Sequence, residues 1–263
     1  PEEVQCSDPQ AEPDFIKPYF GLRLFPVWHV GTDYLHEIGK NWYDFLVDNG
    51  VKFHWETKVD EIWFEDDKLM ADNGSNSYFI HYDRLMFAVG KSGIDFGKKL
   101  ADKYSLPTEP KPVQVGIRFE APQKHFQKLI DISYDFKLYR KFDEGVSLRS
   151  FCTNNNAAYV AVEETYGDHS YNGHAKKDEA FRNDMTNFGI LMEIPGIEEP
   201  FAWSRELVSK VNKEGTGLYY SPTRTPSTTS EGENVSAVVI SDAQMNEVRE
   251  AFHGYYKYID DFI

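Results

Sequence analysis

The order of segments between residues 31 and 93 restricts the fold of this chain more than its composition does. Apolar residues recur at helical spacing over 31–50, which predicts a helix with one buried face that begins at a Thr-Asp cap and ends at a glycine. Alternation predicts a strand over 51–55, and turn residues divide 59–81 into a three-stranded antiparallel meander. The continuous apolar run 85–89 predicts a strand buried on both faces.

The rest of the chain predicts a largely antiparallel sheet with flanking helices. Alternating strand patterns recur over 113–119, 136–142, 146–153, 158–163 and 169–172. Helical spacing is found over 201–213 and again from residue 241 to the end, where an aromatic stripe indicates core or a partner surface.

These patterns predict an α/β chain, α+β overall. A proline-rich joint at 107–112 separates the first predicted region, 1–106, from a second region over 107–225. A loop and the last helix then form a third region over 226–263.

Charge and cysteine content exclude several classes of partner. The net charge of −15 repels phosphate backbones and anionic bilayers, so neither nucleic acid nor a membrane surface is expected. No run approaches the ~18 apolar residues of a membrane span. Cys6 and Cys152 lack metal-binding spacing and are expected to be reduced thiols of a cytoplasmic protein. The acidic residues of 163–169 are interpreted as a solvated loop, and no metal site is predicted.

Five short segments add a family resemblance to this pattern. They are, in order, Val115-Gly116-Ile117-Arg118-Phe119-Glu120, Tyr134-Asp135-Phe136-Lys137, Arg149-Ser150-Phe151-Cys152, Tyr171-Asn172-Gly173-His174 and Thr186-Asn187-Phe188. With the series over 31–93, they resemble the uncharacterised family of predicted FAD-dependent dehydrogenases among the glutathione-reductase-type flavoproteins. The resemblance covers residues 29–200 and implies an incomplete FAD-binding βαβ-type domain with its meander, followed by a substrate domain built on the antiparallel sheet.

The resemblance also implies where FAD would be held. Thr57-Lys58-Val59 matches the step at which the valine backbone meets the adenine, and Ala88-Val89-Gly90 with Gly93 matches a turn near the diphosphate or ribose. Small residues suit that turn, because a cofactor approaches the main chain only where no Cβ intervenes. The implied activity is a dehydrogenase that moves a hydride from a small-molecule substrate to the flavin.

Three side chains are candidates for catalytic roles. Arg118 and Arg149 carry planar, bidentate donors that suit a substrate carboxylate, although a solvated strand face or an ion pair also explains such arginines. His174 has the titration range for proton transfer, and a hydrogen-bonded loop histidine is its alternative.

Other side chains are candidates for substrate contact. Asn172, Asn187 and Cys152 lie within the matching segments, but a turn is the favoured interpretation for Asn187 and a buried apolar role for Cys152. His29, which precedes the first helix, is interpreted as a packing residue.

Two parts of the family pattern have no counterpart in this sequence. The family begins with a strand, a GxGxxG loop and a helix whose N-terminus holds the pyrophosphate, and it ends with a glycine-rich segment over the flavin. Three explanations are open: the chain is a fragment, a protein partner supplies the missing FAD-binding segments, or the chain is a non-catalytic binding or interaction protein that has lost flavin binding.

Overall fold

The chain was analysed as a computed structural model that describes residues 13–24, 29–165, 168–212, 218–219, 238–239 and 242–263. Residue 241, where the last predicted helix begins, and Cys6 lie outside these ranges. The fold is mixed α/β with several antiparallel sheets, as the sequence predicts at that level. None of the described helices has the length and apolar character needed to cross a bilayer.

The elements are named in chain order. They are β1 (Gly21–Leu24), α1 (Leu35–Asp48), β2 (Lys58–Trp63), β3 (Lys68–Asp72), β4 (Ser77–His81), α2 (Ile94–Tyr104), β5 (Val113–Pro122), α3 (Gln127–Ile130), β6 (Phe136–Lys141), β7 (Ser147–Asn155), β8 (Ala158–Thr165), β9 (Asp168–Ala175), β10 (Met185–Ile194), α4 (Pro200–Val211), β11 (Leu218–Tyr219), β12 (Val238–Val239), α5 (Asp242–Ala251) and α6 (Tyr256–Phe262).

The chain divides into two compact units. Residues 36–109 form the helix–meander unit, and 110–263 together with the residues up to 35 form the sheet unit. The boundary between Glu109 and Pro110 lies inside the proline-rich joint, and β1 pairs with β6 of the sheet unit.

The helix–meander unit contains the predicted helix and meander. Strands β2, β3 and β4 pair in that order, all antiparallel, and α2 covers one face of the sheet. The small core consists of Ile62, Leu69, Ala71 and Leu100.

The predicted burial of α1 is wrong. No residue of this helix is buried, and the side chains of Trp42 and Phe45 are 61% and 58% exposed. Tyr43 packs on Phe53 and Trp55 with ring centroids 4.8 and 5.8 Å away. The apolar stripe of this helix (Leu35, Ile38, Trp42, Phe45 and Leu46) is thus exposed at Leu35, Trp42 and Phe45 and half-buried at Ile38 and Leu46.

Two predicted strands of this unit are also wrong. Residues 51–55 and 85–89 pair with no strand among the described residues, and Met86 is 89% exposed. An apolar run becomes a buried strand only when neighbouring strands satisfy its backbone and other layers cover both faces. The sheet β2-β3-β4 supplies neither for these segments.

The sheet unit is organised around a five-stranded antiparallel sheet in the order β1-β6-β7-β10-β5. The strands predicted over 113–175 are confirmed. One face of the sheet is apolar and packs against α4, α5 and α6, with Phe136, Leu148, Ile190, Met192 and Ile259 among its most buried side chains.

The predicted long C-terminal helix is two helices. His253 and Gly254 have φ values of 51° and 84°, and a left-handed pair ends α5 before α6 begins. The sequence left two interpretations of the aromatic stripe, core or a partner surface. It is core, because Phe252, Tyr256 and Phe262 are buried.

Candidate functional site

A polar network forms on the sheet face opposite the apolar core. Ile117 and Phe119 face that core from β5, so alternation directs Arg118 to the other side. Its Nε donates to Asn187 Oδ1 at 3.0 Å, and its Nη2 donates to the Cys152 carbonyl at 2.7 Å. The guanidinium therefore joins β5 to β10 and β7.

Asn187 lies at the centre of this network. It is fully buried within strand β10, so the favoured turn interpretation is wrong. Its Oδ1 accepts from Arg118 and, at 3.0 Å, from Asn154 Nδ2, while its own Nδ2 donates to the Tyr159 carbonyl at 3.1 Å. One amide thus fixes the sheet face to the β8–β9 hairpin.

Cys152 enters the network through its backbone. Asn154 lies opposite Asn187, and Phe151 lies opposite Gly189, so the pairing register shifts at Cys152. Its φ of 50° is rare for a residue with a side chain and accompanies this bulge. The bulge turns the carbonyl toward Arg118, and the partly buried thiol lies 3.9 Å from the Gly173 carbonyl oxygen.

The β8–β9 hairpin lies directly against this face. A Cβ on Gly173 would overlap the Arg118 guanidinium and the Asn154 amide, so the close approach requires glycine at this position. Asn172 Oδ1 accepts from the Gly173 backbone N–H at 3.0 Å. His174 pairs with Tyr159 across the hairpin, but its ring makes no hydrogen bond with any residue that the structure describes.

Arg149 is not part of the network. It lies opposite Leu191, on the same sheet face as Arg118, but it is exposed. Its guanidinium carbon lies 5.9 Å from the centre of the Phe151 ring. The structure therefore joins Arg118, Cys152 and Asn187 by hydrogen bonds and leaves Arg149 at the surface.

The charge of Arg118 has an unusual environment. Burial lowers the pKa of its guanidinium from its usual value, but the group stays charged at neutral pH. Among the described residues, no carboxylate lies within ion-pair distance of it, and its partners are neutral oxygens. These hydrogen bonds hold a partly buried positive charge in a fixed position.

Two members of this arrangement were not singled out from the sequence. Asp135 is buried, forms an ion pair with Lys137 at 2.8 Å and accepts from the Thr153 backbone N–H at 3.2 Å. Asn154 supports Asn187 from the same strand. The run of four polar residues after Cys152 is the sequence signal that marks Asn154.

The proposed cofactor residues lie in the helix–meander unit. Val59 packs at the edge of the small core, whereas Ala88, Val89 and Gly90 are exposed. Gly90 has a φ of 63°, and no heavy atom lies within 4 Å of the position that a Cβ would take. A Cβ on Gly93 would overlap the Val89 side chain. The main chain at Gly90 is therefore open beside the Cα, as it is at the exposed turn glycines Gly50 and Gly74.

No protein-family model matches the chain, and no curated protein matches it. The residues of the chain are therefore the evidence for its function.

Proposed function

We propose that this chain is part or all of an FAD-dependent oxidoreductase of the predicted dehydrogenase family that its motifs resemble, with a small-molecule substrate. The observation that best supports the proposal is that the five motif segments meet at one place. Arg118, Cys152 and Asn187 share hydrogen bonds, Gly173 contacts Arg118, and Asp135 holds the backbone beside Cys152. The convergence of these segments on one charged group supports a site that they share.

Each group has a role in this proposal. FAD, when bound, supplies the redox chemistry. Val59 and the small residues of 88–93 would hold its nucleotide end through the main chain. Arg118 would orient an anionic substrate group with its fixed charge, and His174 would exchange a proton with the substrate.

A second candidate function, a non-catalytic interaction protein, is favoured by one specific observation. Trp42, Phe45 and Met86 of the helix–meander unit are between 58% and 89% exposed. Large exposed apolar side chains in one small unit indicate a surface that a protein partner covers. The two candidate functions are compatible if the protein partner supplies the missing FAD-binding segments.

The deciding experiment is FAD binding by the purified chain. We expect a flavin absorption spectrum that is released on denaturation or, for a colourless preparation, saturable quenching of tryptophan fluorescence on addition of FAD. Gly90→Val should lower FAD affinity about tenfold or more, because a side chain at this turn blocks approach to the main chain.

Gly74→Val is the matched control. Gly74 is also an exposed turn glycine with positive φ and open space beside it, but it lies in the β3–β4 turn. It should bind FAD as the unchanged chain does. A chain that stays colourless and takes up no FAD would overturn flavin binding by this chain and leave the interaction protein as its function.

A further inference from the structure

A second polar site lies in the sheet unit, separate from the Arg118 network. A cavity of about 150 Å³, here called the His29 pocket, opens between His29, Tyr134, Asn155 and the segment 175–182. Pockets for whole drug-sized ligands are several times larger, at roughly 300–1,000 Å³. The His29 pocket is therefore the right size for one small chemical group.

The pocket carries positive charge in a chain of net charge −15. Lys176, Lys177 and Arg182 line it, and Asp178 is its one acidic lining residue. The Asp178 carboxylate accepts from the Ala180 backbone N–H at 2.9 Å, and Arg182 pairs with the exposed Glu179 at 3.1 Å. Lys177 has no ion-pair partner among the residues that the structure describes.

The ammonium of Lys176 is engaged elsewhere. It lies 3.7 Å from the centre of the Phe181 ring and 5.3 Å from that of Tyr159, both cation–π distances. Lys177 is thus the cation of the pocket that is most available to a ligand.

Asp33 fixes the position of Lys177. Its carboxylate accepts from the backbone N–H groups of Lys177 and Asp178 at 3.0 Å each, across a separation of more than 140 residues. These hydrogen bonds lower the pKa of the Asp33 carboxyl, although desolvation opposes them. These two hydrogen bonds hold Lys177 beside the segment that contains His29 and Gly31.

His29 supplies a neutral ring to the same pocket. It packs on Tyr134 with ring centroids 4.8 Å apart, and its nitrogens bind no residue that the structure describes. Burial lowers the pKa of the imidazole, Asp135 raises it, and Lys177 and Lys137 lower it. At neutral pH the ring therefore offers one N–H donor and one acceptor nitrogen.

We propose that the His29 pocket binds a small oxyanion, such as a phosphate or carboxylate group, which accepts hydrogen bonds from Lys177 and the His29 ring. Arg182 adds positive charge at the rim. Three observations point to such a ligand: the size of the cavity, an ammonium with no ion-pair partner among the described residues, and an imidazole with no hydrogen-bond partner among them. The site does not depend on flavin binding.

The test is NMR of the 263-residue chain, labelled with ¹⁵N, on titration with inorganic phosphate and, separately, with acetate. Sodium chloride at the same ionic strength is the control for screening. We expect saturable shifts of the His29 ring and of the amides of 155–157 and 176–178. Saturation by phosphate supports a phosphoryl ligand, and saturation by acetate alone supports a carboxylate ligand.

Variants separate the site from general charge. Lys177→Gln should weaken binding about tenfold or more, because it removes a charge-assisted hydrogen bond, whereas Lys177→Arg should retain most of it. Lys141→Gln makes the same charge change at an exposed position at the end of β6 and should bind normally.

The titrations and the variants can each overturn or support oxyanion binding in the His29 pocket. The absence of saturable shifts with both anions would overturn the proposal. Equal weakening by Lys177→Gln and Lys141→Gln would overturn it too. Amide signals of residues outside the pocket report whether each variant is folded, so a loss of binding with an unchanged spectrum elsewhere supports the site.

Discussion

The Arg118 guanidinium donates to the Asn187 side-chain oxygen at 3.0 Å, and this oxygen also accepts from Asn154. Asn187 is fully buried, so no solvent molecule can replace a lost donor without rearrangement. The pair therefore connects the stability of the sheet unit to the group that is proposed to meet the substrate.

The first prediction concerns this pair. Arg118→Gln and Asn187→Ala should each lower the free energy of unfolding by about 1–3 kcal/mol, because each leaves buried polar groups without partners. The double variant should cost less than the sum, with a coupling energy of about 0.5–3 kcal/mol. Urea unfolding measures all three. Arg149→Gln is the control, and its exposed site should change stability by less than about 0.5 kcal/mol.

The second prediction tests the close approach at Gly173. Gly173→Ala should destabilise the chain by about 1–3 kcal/mol, because the added methyl overlaps Arg118 and Asn154. Gly39→Ala, inside α1 with nothing within 4 Å, should instead stabilise by about 0.5–1 kcal/mol. Equal effects of the two substitutions on the thermal midpoint would contradict the contact at Gly173.

The third prediction concerns the exposed stripe of α1. Trp42→Gln should change the free energy of unfolding by less than about 0.5 kcal/mol and should reduce binding of a hydrophobic dye. Leu100→Ala, in the core of the same unit, should cost about 2–5 kcal/mol. A large loss of stability in Trp42→Gln would show that the stripe is buried in solution.

The fourth prediction is the titration of His29. Its NMR pKa should lie below 6.5, chiefly because of burial, and should rise in Lys177→Gln, which removes a nearby positive charge. Since the folded pKa is depressed, the unfolded chain binds more protons between the two pKa values. The contribution of His29 to stability is therefore present above pH 6.5 and is lost as the pH falls through its folded pKa.

His29→Phe is the control for the predicted loss of stability at low pH. It retains a ring against Tyr134 but removes the titration. Urea midpoints measured on both sides of pH 6.5 should fall less in the variant than in the unchanged chain as the solution is acidified. An identical pH dependence in the two proteins would contradict the depressed pKa.

Local patterns predicted much of the fold. Alternation located β5 and the faces of Arg118 and Ile117, because period-two burial requires only the strand itself. Turn residues located the meander, because turn chemistry is also a local property of the sequence.

Features that depend on distant partners were not predicted. Strand β10 was missed because Asn187 and Gly189 are poor strand formers alone and become suitable only where Arg118 and Phe151 pack on them. The bulge at Cys152 interrupts alternation and is visible only once β7 and β10 are paired. Segment 85–89 was assigned to a sheet whose other strands are not found among the described residues.

The small core of the helix–meander unit has a consequence for how this unit would respond to a ligand. Only four hydrophobic side chains are buried there among the described residues, so local opening should require little free energy and amide hydrogens should exchange early. Under the second candidate function, a partner that covers Trp42, Phe45 and Met86 would bind the folded form of the unit. By mass action, its binding free energy would then appear as protection of this unit from exchange, and protection would rise with ligand concentration.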